Sequence, residues 1–237
     1  EAKLADPQTS MMILCNPHNP SGNIWEQETL KRIGMLCRKY HVLVVADEIH
    51  CDVTAPGYAY TPFASVSDDC RENSITCLAP TKAFNLAGLQ TAAVMVPNEH
   101  LRAKVERALN TDEVAEPNVF AQEAAAAAFS DGEDWLDELR DYLWQNRSYA
   151  VKFLAEELPK IKAVQAHATY LLWLDCQKLS IDSGEMCSFI RNHNGLYLTP
   201  GNEYRNGVGF LRMNIACPMK RLEEGLWRLK EGVLAYE

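Results

Sequence analysis

The chain has 237 residues, 47% of them apolar, enough to bury a sizeable core in one large domain or one and a half, and this excludes disorder as the default. A formal net charge of -9, from 23 Lys and Arg against 32 Asp and Glu, excludes a protein-wide basic field for nucleic acid. No apolar stretch is long enough for a membrane span, and residues 1–10 lack the basic and apolar regions of a signal peptide, so no membrane partner and a cytoplasmic location are expected.

In chain order, the apolar run Met11-Met12-Ile13-Leu14-Cys15 stops at Asn16-Pro17-His18-Asn19-Pro20-Ser21-Gly22, where two prolines and a glycine predict a loop after a strand. Leu30, Ile33, Cys37 and Tyr40 recur at helical spacing and predict a helix over residues 26–40. Val42-Leu43-Val44-Val45-Ala46 follows without alternation, as in a strand covered on both faces, and similar runs occupy 75–79 and 92–96. Strand, helix and strand in this order predict right-handed crossovers in a mostly parallel sheet, an α/β fold.

After Pro97 the pattern turns helical over 99–110, 119–129 and 135–158, and the run of alanines at 124–128 is read as close helix packing. Apolar runs at 170–174 and 210–215, a helix near 184–193 and a closing helix from 219 to about 234 predict a smaller α+β domain. The expected division is 1–145 and 146–237. The eight cysteines form no Cys-x-x-Cys pair and several lie inside apolar runs, so buried reduced thiols are expected rather than disulfides or metal ligands.

Ligands of open parallel sheets bind beyond the carboxyl ends of the strands. Asn19, Asp47 and Lys82 all follow predicted strands. An acid placed directly behind five apolar residues is costly to bury without a cationic or hydrogen-bonding partner, such as a nearby lysine or a protonated heterocycle. Taken singly, each residue has a plainer explanation. Lys82 could be a solvated lysine, Asp47 a helix N-cap and Asn19 a turn residue. His50 could be a core histidine and Arg212 a member of a rim ion pair.

Asn-Pro-His-Asn-Pro-Ser-Gly (16–22), Ala-Asp-Glu-Ile-His (46–50), Ala-Pro-Thr-Lys-Ala-Phe-Asn-Leu-Ala-Gly-Leu (79–89) and Phe-Leu-Arg-Met-Asn-Ile-Ala-Cys-Pro (210–218) occur in one order along the chain. Together they resemble the signature of fold-type-I pyridoxal-phosphate enzymes, the class I and II aminotransferase-like group. Asp-Glu-Ile-His, Ala-Thr-Tyr-Leu-Leu-Trp-Leu-Asp (168–175) and Leu-Thr-Pro-Gly (198–201) are similar in particular to the MalY/PatB-type cystathionine β-lyase branch.

The resemblance implies a C-terminal part of the cofactor-binding large domain followed by a small domain, with pyridoxal 5'-phosphate as cofactor. Lys82 would form the Schiff base and move the Cα proton, and Asp47 would keep the pyridine nitrogen protonated. Asn19 would donate to the ring's phenolic oxygen, His50 would stand in the same polar wall, and Thr81 would give a hydroxyl to the phosphate. Arg212 would clamp the substrate's α-carboxylate. The implied reaction is carbon–sulfur β-elimination from an amino acid such as cystathionine or cysteine. An aminotransferase, or a regulatory protein that keeps the fold, are the alternatives.

The sequence departs from the family pattern in two respects. Ala79 and Gln90 stand where many aminotransferases carry a phosphate-binding hydroxyl and an arginine, which suits the lyase branch. The N-terminal half of the large domain does not precede Glu1, so it is expected on a longer polypeptide or another chain, and a homodimer is expected from the resemblance. The residues present are expected to bind the cofactor weakly by themselves.

Overall fold

The computed structural model describes residues Glu1–Glu237. The chain forms two units, one made of Glu1–His18 and Ile24–Glu138 and the other of Asn19–Asn23 and Leu139–Glu237.

In the first unit the apolar runs become strands β1 (Met11–Cys15), β2 (Leu43–Asp47) and β3 (Ser74–Leu78). They pair in parallel, with Cys15 opposite Asp47 and Asp47 opposite Cys77 at their carboxyl ends. Helix α1 (Gln27–Lys39) makes the crossover from β1 to β2, and α2 (Asp68–Glu72), capped by the Ser67 hydroxyl, precedes β3. Leu14, Val44 and Ala46 from the strands pack with Leu30 and Cys37 from α1 and with Phe63 and Cys70. A Cβ at Gly34 would lie 2.3 Å from Cys70 Sγ, so only glycine lets α1 approach α2 this closely.

The α/β class and mostly parallel sheet expected from the sequence are borne out, with two differences in detail. Strand β4 (Ala93–Met95) joins β3 antiparallel, completing the order β1-β2-β3-β4. Burial also alternates along β2, where Val44 and Ala46 are buried and Leu43 and Val45 only partly so, whereas its unbroken apolar run predicts cover on both faces. Successive strand side chains point to opposite sides, and an apolar run does not state what lies on each.

Helices α3 (Glu99–Thr111) and α4 (Val119–Asp131) are capped by the side chains of Asn98 and Asn118. The alanine run of α4 does not mark close packing, because its only buried residue is Ala121 and Phe120 is 74% exposed. High helix propensity accounts for the alanines without tertiary contacts.

Helix α5 (Glu133–Glu157) begins in the first unit and continues into the second. There an antiparallel sheet contains β5 (Lys162–Ala163), β6 (Leu171–Asp175), β7 (Thr199–Pro200) and β8 (Phe210–Asn214) in the order β5-β6-β8-β7. Helix α6 (Ser183–Asn194), with Asp182 as N-cap and left-handed Gly195 at its end, and helix α7 (Met219–Tyr236) complete the unit. Leu172, Leu174, Leu211 and Met213 from the sheet meet Met186, Ile190, Leu222, Leu226 and Leu229 in one core.

Two side chains of α5 fasten this unit from within. Asn146 Nδ2 donates to the carbonyls of Ile215 and Cys217 at 2.8 and 2.9 Å, and Arg147 Nη2 donates to Leu171 O at 2.6 Å. Burial holds the Arg147 guanidinium down at about 10. Asn19–Asn23 joins the same unit through Gly22, whose carbonyl accepts from His167 and Ala168, each at 3.0 Å. Gly22 is left-handed, and a Cβ there would come within 2.4 Å of Ala168 O.

No helix is long and apolar enough to cross a membrane. All eight cysteines are free, and no group of three or more His, Cys, Asp or Glu side chains is placed to hold a metal ion.

Candidate active site

The first unit presents Asp47, His50, Thr81 and Lys82 in and beyond the carboxyl ends of its parallel strands. Asp47 is the last residue of β2, and each of its oxygens has a donor: Oδ2 accepts the Cys15 thiol at 3.5 Å and Oδ1 accepts the Ile49 N–H at 3.3 Å. The carboxylate is therefore aimed by local structure and not by a basic side chain. His50 is buried in the turn that follows, where its carbonyl accepts from Val53 N at 3.0 Å.

Lys82 lies in the turn beyond β3, within a stretch closed by Phe84 N–H to Pro80 O at 2.9 Å and Leu86 N–H to Thr81 O at 3.1 Å. The residue is half-buried, its amine makes neither a hydrogen bond nor an ion pair, with Asp47 or with any other residue, and the Thr81 hydroxyl is likewise without a partner. An amine and a carboxylate on one sheet edge, neither neutralised by the other, are suited to hold a third group.

Glu48, next to Asp47, was not singled out from the sequence. It is buried, its Oε1 accepts the Phe63 N–H at 2.8 Å, and burial pushes its carboxyl above the usual range against the opposing effects of that bond and of Tyr60. The Tyr60 hydroxyl donates to Asn16 O at 3.0 Å, and burial followed by the nearby Glu48 charge raises its pKa. The Cys77 thiol, on the other side of Asp47 from Cys15, is raised first by burial and then by the Asp47 charge. An acid behind an apolar strand was the available signal for Glu48, but a single sequence does not show which of two adjacent acids turns inward.

In the second unit the structure brings Asn19 and Arg212 together. Arg212, on β8, donates from Nη1 to Asn19 Oδ1 at 3.2 Å and from Nη2 to Thr199 Oγ1 at 3.2 Å. Its guanidinium carbon lies 5.7 Å from the centre of the Tyr204 ring, and no acidic side chain pairs with it. A rim ion pair is therefore not what holds this arginine. With its oxygen engaged, Asn19 keeps Nδ2 as a donor. Thr199 and Tyr204 had no role assigned from the sequence, although Thr199 falls in the Leu-Thr-Pro-Gly motif.

Known proteins resemble this chain over nearly its whole length. Cystathionine β-lyase PatB of Bacillus subtilis is 44% identical over 98% of this chain and 60% of its own length. Protein MalY of Escherichia coli is 32% identical over 99% of the chain and 60% of its length. The crystal structure of cystalysin from Treponema denticola, which contains a pyridoxal 5'-phosphate cofactor, superposes with a TM-score of 0.95 at 27% identity, covering 100% of this chain and 60% of that one. The chain thus spans about 60% of the length of the curated relatives it matches. The family model described as aminotransferase class I and II matches residues 1–229, and the chain belongs to that family.

Proposed function

We propose that this chain is part of a pyridoxal 5'-phosphate-dependent carbon–sulfur β-lyase that converts cystathionine- or cysteine-type amino acids to pyruvate, ammonia and a thiol. The observation that carries the reading is the pair formed by Lys82 and Asp47, an amine and a carboxylate beyond parallel strand ends with no ionic partner of their own. The likeness to cystathionine β-lyase PatB supports the lyase over an aminotransferase.

The residues present fit the cofactor, because the unpaired Lys82 amine, the doubly anchored Asp47 carboxylate and the remaining Asn19 donor match its aldehyde, ring nitrogen and phenolic oxygen in chemistry. When bound, pyridoxal phosphate supplies an electron sink for the charge left on the substrate's Cα. Lys82 would hold the cofactor through its amine, and the same amine, when free, would take the proton from the substrate's Cα. Asp47 would hold the proton on the ring nitrogen, and its two donors, the Cys15 thiol and the Ile49 N–H, keep the carboxylate in one orientation without pairing it with a cation. Asn19 Nδ2 would donate to the phenolic oxygen, His50 would contribute a polar group beside Asp47, and the unpartnered Thr81 hydroxyl would serve the phosphate. Arg212 binds the α-carboxylate through the N–H groups left over from Asn19 and Thr199. Breaking the Cβ–S bond releases the thiol, and water completes the conversion to pyruvate and ammonia.

In this reading residues 1–145 are the C-terminal part of the cofactor-binding large domain and 146–237 form the small domain. The rest of the large domain comes from further polypeptide or another chain, and the protein acts as a cytoplasmic homodimer. The test is Lys82→Ala in the cofactor-loaded protein, which is expected to abolish pyruvate release from cystathionine; retained release would overturn the assignment. Exchange of the amino group onto an added keto acid, without thiol release, would assign an aminotransferase instead.

A further inference from the structure

Thr199 and Arg212 are direct partners across the β7–β8 pair, and opposed residues of an antiparallel pair put their side chains on one face. Thr199 is buried, at 8% exposure, and its Oγ1 accepts from Arg212 Nη2 at 3.2 Å. Asn19 Oδ1 takes Nη1 at 3.2 Å, and the Tyr204 ring lies beside the guanidinium. Tyr204 is itself braced edge-on by Trp173, with centroids 5.3 Å apart, and Trp173 stacks on Phe210 at 5.1 Å.

A long, flexible side chain is thus held from three sides, and every group that holds it is neutral. An acidic partner would have neutralised the guanidinium and competed with an incoming anion. A hydroxyl, an amide oxygen and a ring orient it and leave its full charge. Two N–H donors are used, and the rest of the planar fork stays available. A fork already held in place loses less freedom when it closes on a carboxylate.

We propose that Thr199 is a positioning residue for substrate recognition: its hydroxyl fixes the plane of the Arg212 fork so that it meets the α-carboxylate of the amino acid. The inference deepens the reading of Arg212 given above and rests on it. Thr199 touches no reacting atom, so its loss acts on binding ahead of chemistry.

The test compares Thr199→Val, which keeps the shape without the hydroxyl, and Thr199→Ser, which keeps the hydroxyl, in the cofactor-loaded protein. Thr199→Val is expected to raise KM for cystathionine about tenfold and to change kcat less than about twofold, as for one hydrogen bond to a charged group. Thr199→Ser is expected to stay near wild type. Binding of propionate, a carboxylate without an amine, measured by calorimetry, is expected to weaken by about the same tenfold in Thr199→Val and not in Thr199→Ser.

A merely structural role would lower the amount of active protein and leave KM and propionate affinity alone. Unchanged KM and propionate affinity in Thr199→Val, or failure of serine to rescue, overturns the proposal; if the valine variant does not fold, Thr199→Ala is read by the same criteria. Arg212→Lys separates the two levels. Normal propionate binding in that variant overturns the role of Arg212 itself, whereas weakened binding there with none in Thr199→Val overturns only the inference about Thr199.

Discussion

Cys15 and Asp47 stand opposite each other on neighbouring parallel strands, and the thiol of the first donates to Oδ2 of the second across 3.5 Å. With the Ile49 N–H on Oδ1, the carboxylate is fixed in direction by uncharged donors and keeps its charge for a ligand. Asp47→Asn preserves the shape and removes the charge. It is expected to lower kcat for thiol release by about 100-fold or more, as when an aligned electrostatic group is removed from an active site. Pyruvate release by the cofactor-loaded protein measures this, and a wild-type kcat would show that the charge is not used.

Glu48 makes stability depend on pH in a definite direction. Burial holds its carboxyl above the ordinary range, so the folded chain binds this proton more tightly than the unfolded chain does. The contribution from this group is greatest at acid pH and falls as pH rises from the unfolded value towards the raised folded one. Glu48→Gln keeps an oxygen for the Phe63 N–H and cannot ionise. The thermal midpoint of the variant relative to wild type is expected to rise as pH is raised from about 4 to about 8. A difference that does not vary with pH would contradict this.

Gly34 tests the approach of α1 to α2. Gly34→Ala places a methyl 2.3 Å from Cys70 Sγ in a buried contact and is expected to cost roughly 1–3 kcal/mol in denaturant unfolding. Adding Cys70→Ala is expected to return part of that loss, giving a favourable coupling in a double-mutant cycle. Strictly additive losses would place the clash elsewhere.

Asn146 tests the fastening of α5 to the end of β8. Asn146→Ala leaves the carbonyls of Ile215 and Cys217 without this donor, and a loss on the order of 1–3 kcal/mol is expected from equilibrium unfolding. Asn146→Asp supplies acceptors where donors are needed and is expected to be at least as damaging; a neutral outcome for both variants would refute the role.

Most of the fold was legible because local and tertiary preferences agree. Leu30 and Cys37 recur at helical spacing and are indeed the buried stripe of α1, and the apolar runs before Asn16 and Glu48 are β1 and β2. The direction of β4 was not legible, since an apolar run has no sign of polarity along it. Strand β7 is too short for any period, yet it carries Thr199 to its place opposite Arg212. The sequence motifs marked Arg212 but not what orients it, because the holding groups come from positions as far apart as Asn19 and Thr199. Long-range partners of this kind are invisible to spacing.

The loop around Gly22 sets a limit on how this molecule can be taken apart. A gene cut at codon 139 would encode the later body without its own early segment, and the amides of His167 and Ala168 would lose the carbonyl that receives them. One scission cannot yield both halves intact, and a separately produced C-terminal piece would need the Asn19–Asn23 strip returned to it, as a grafted or added peptide.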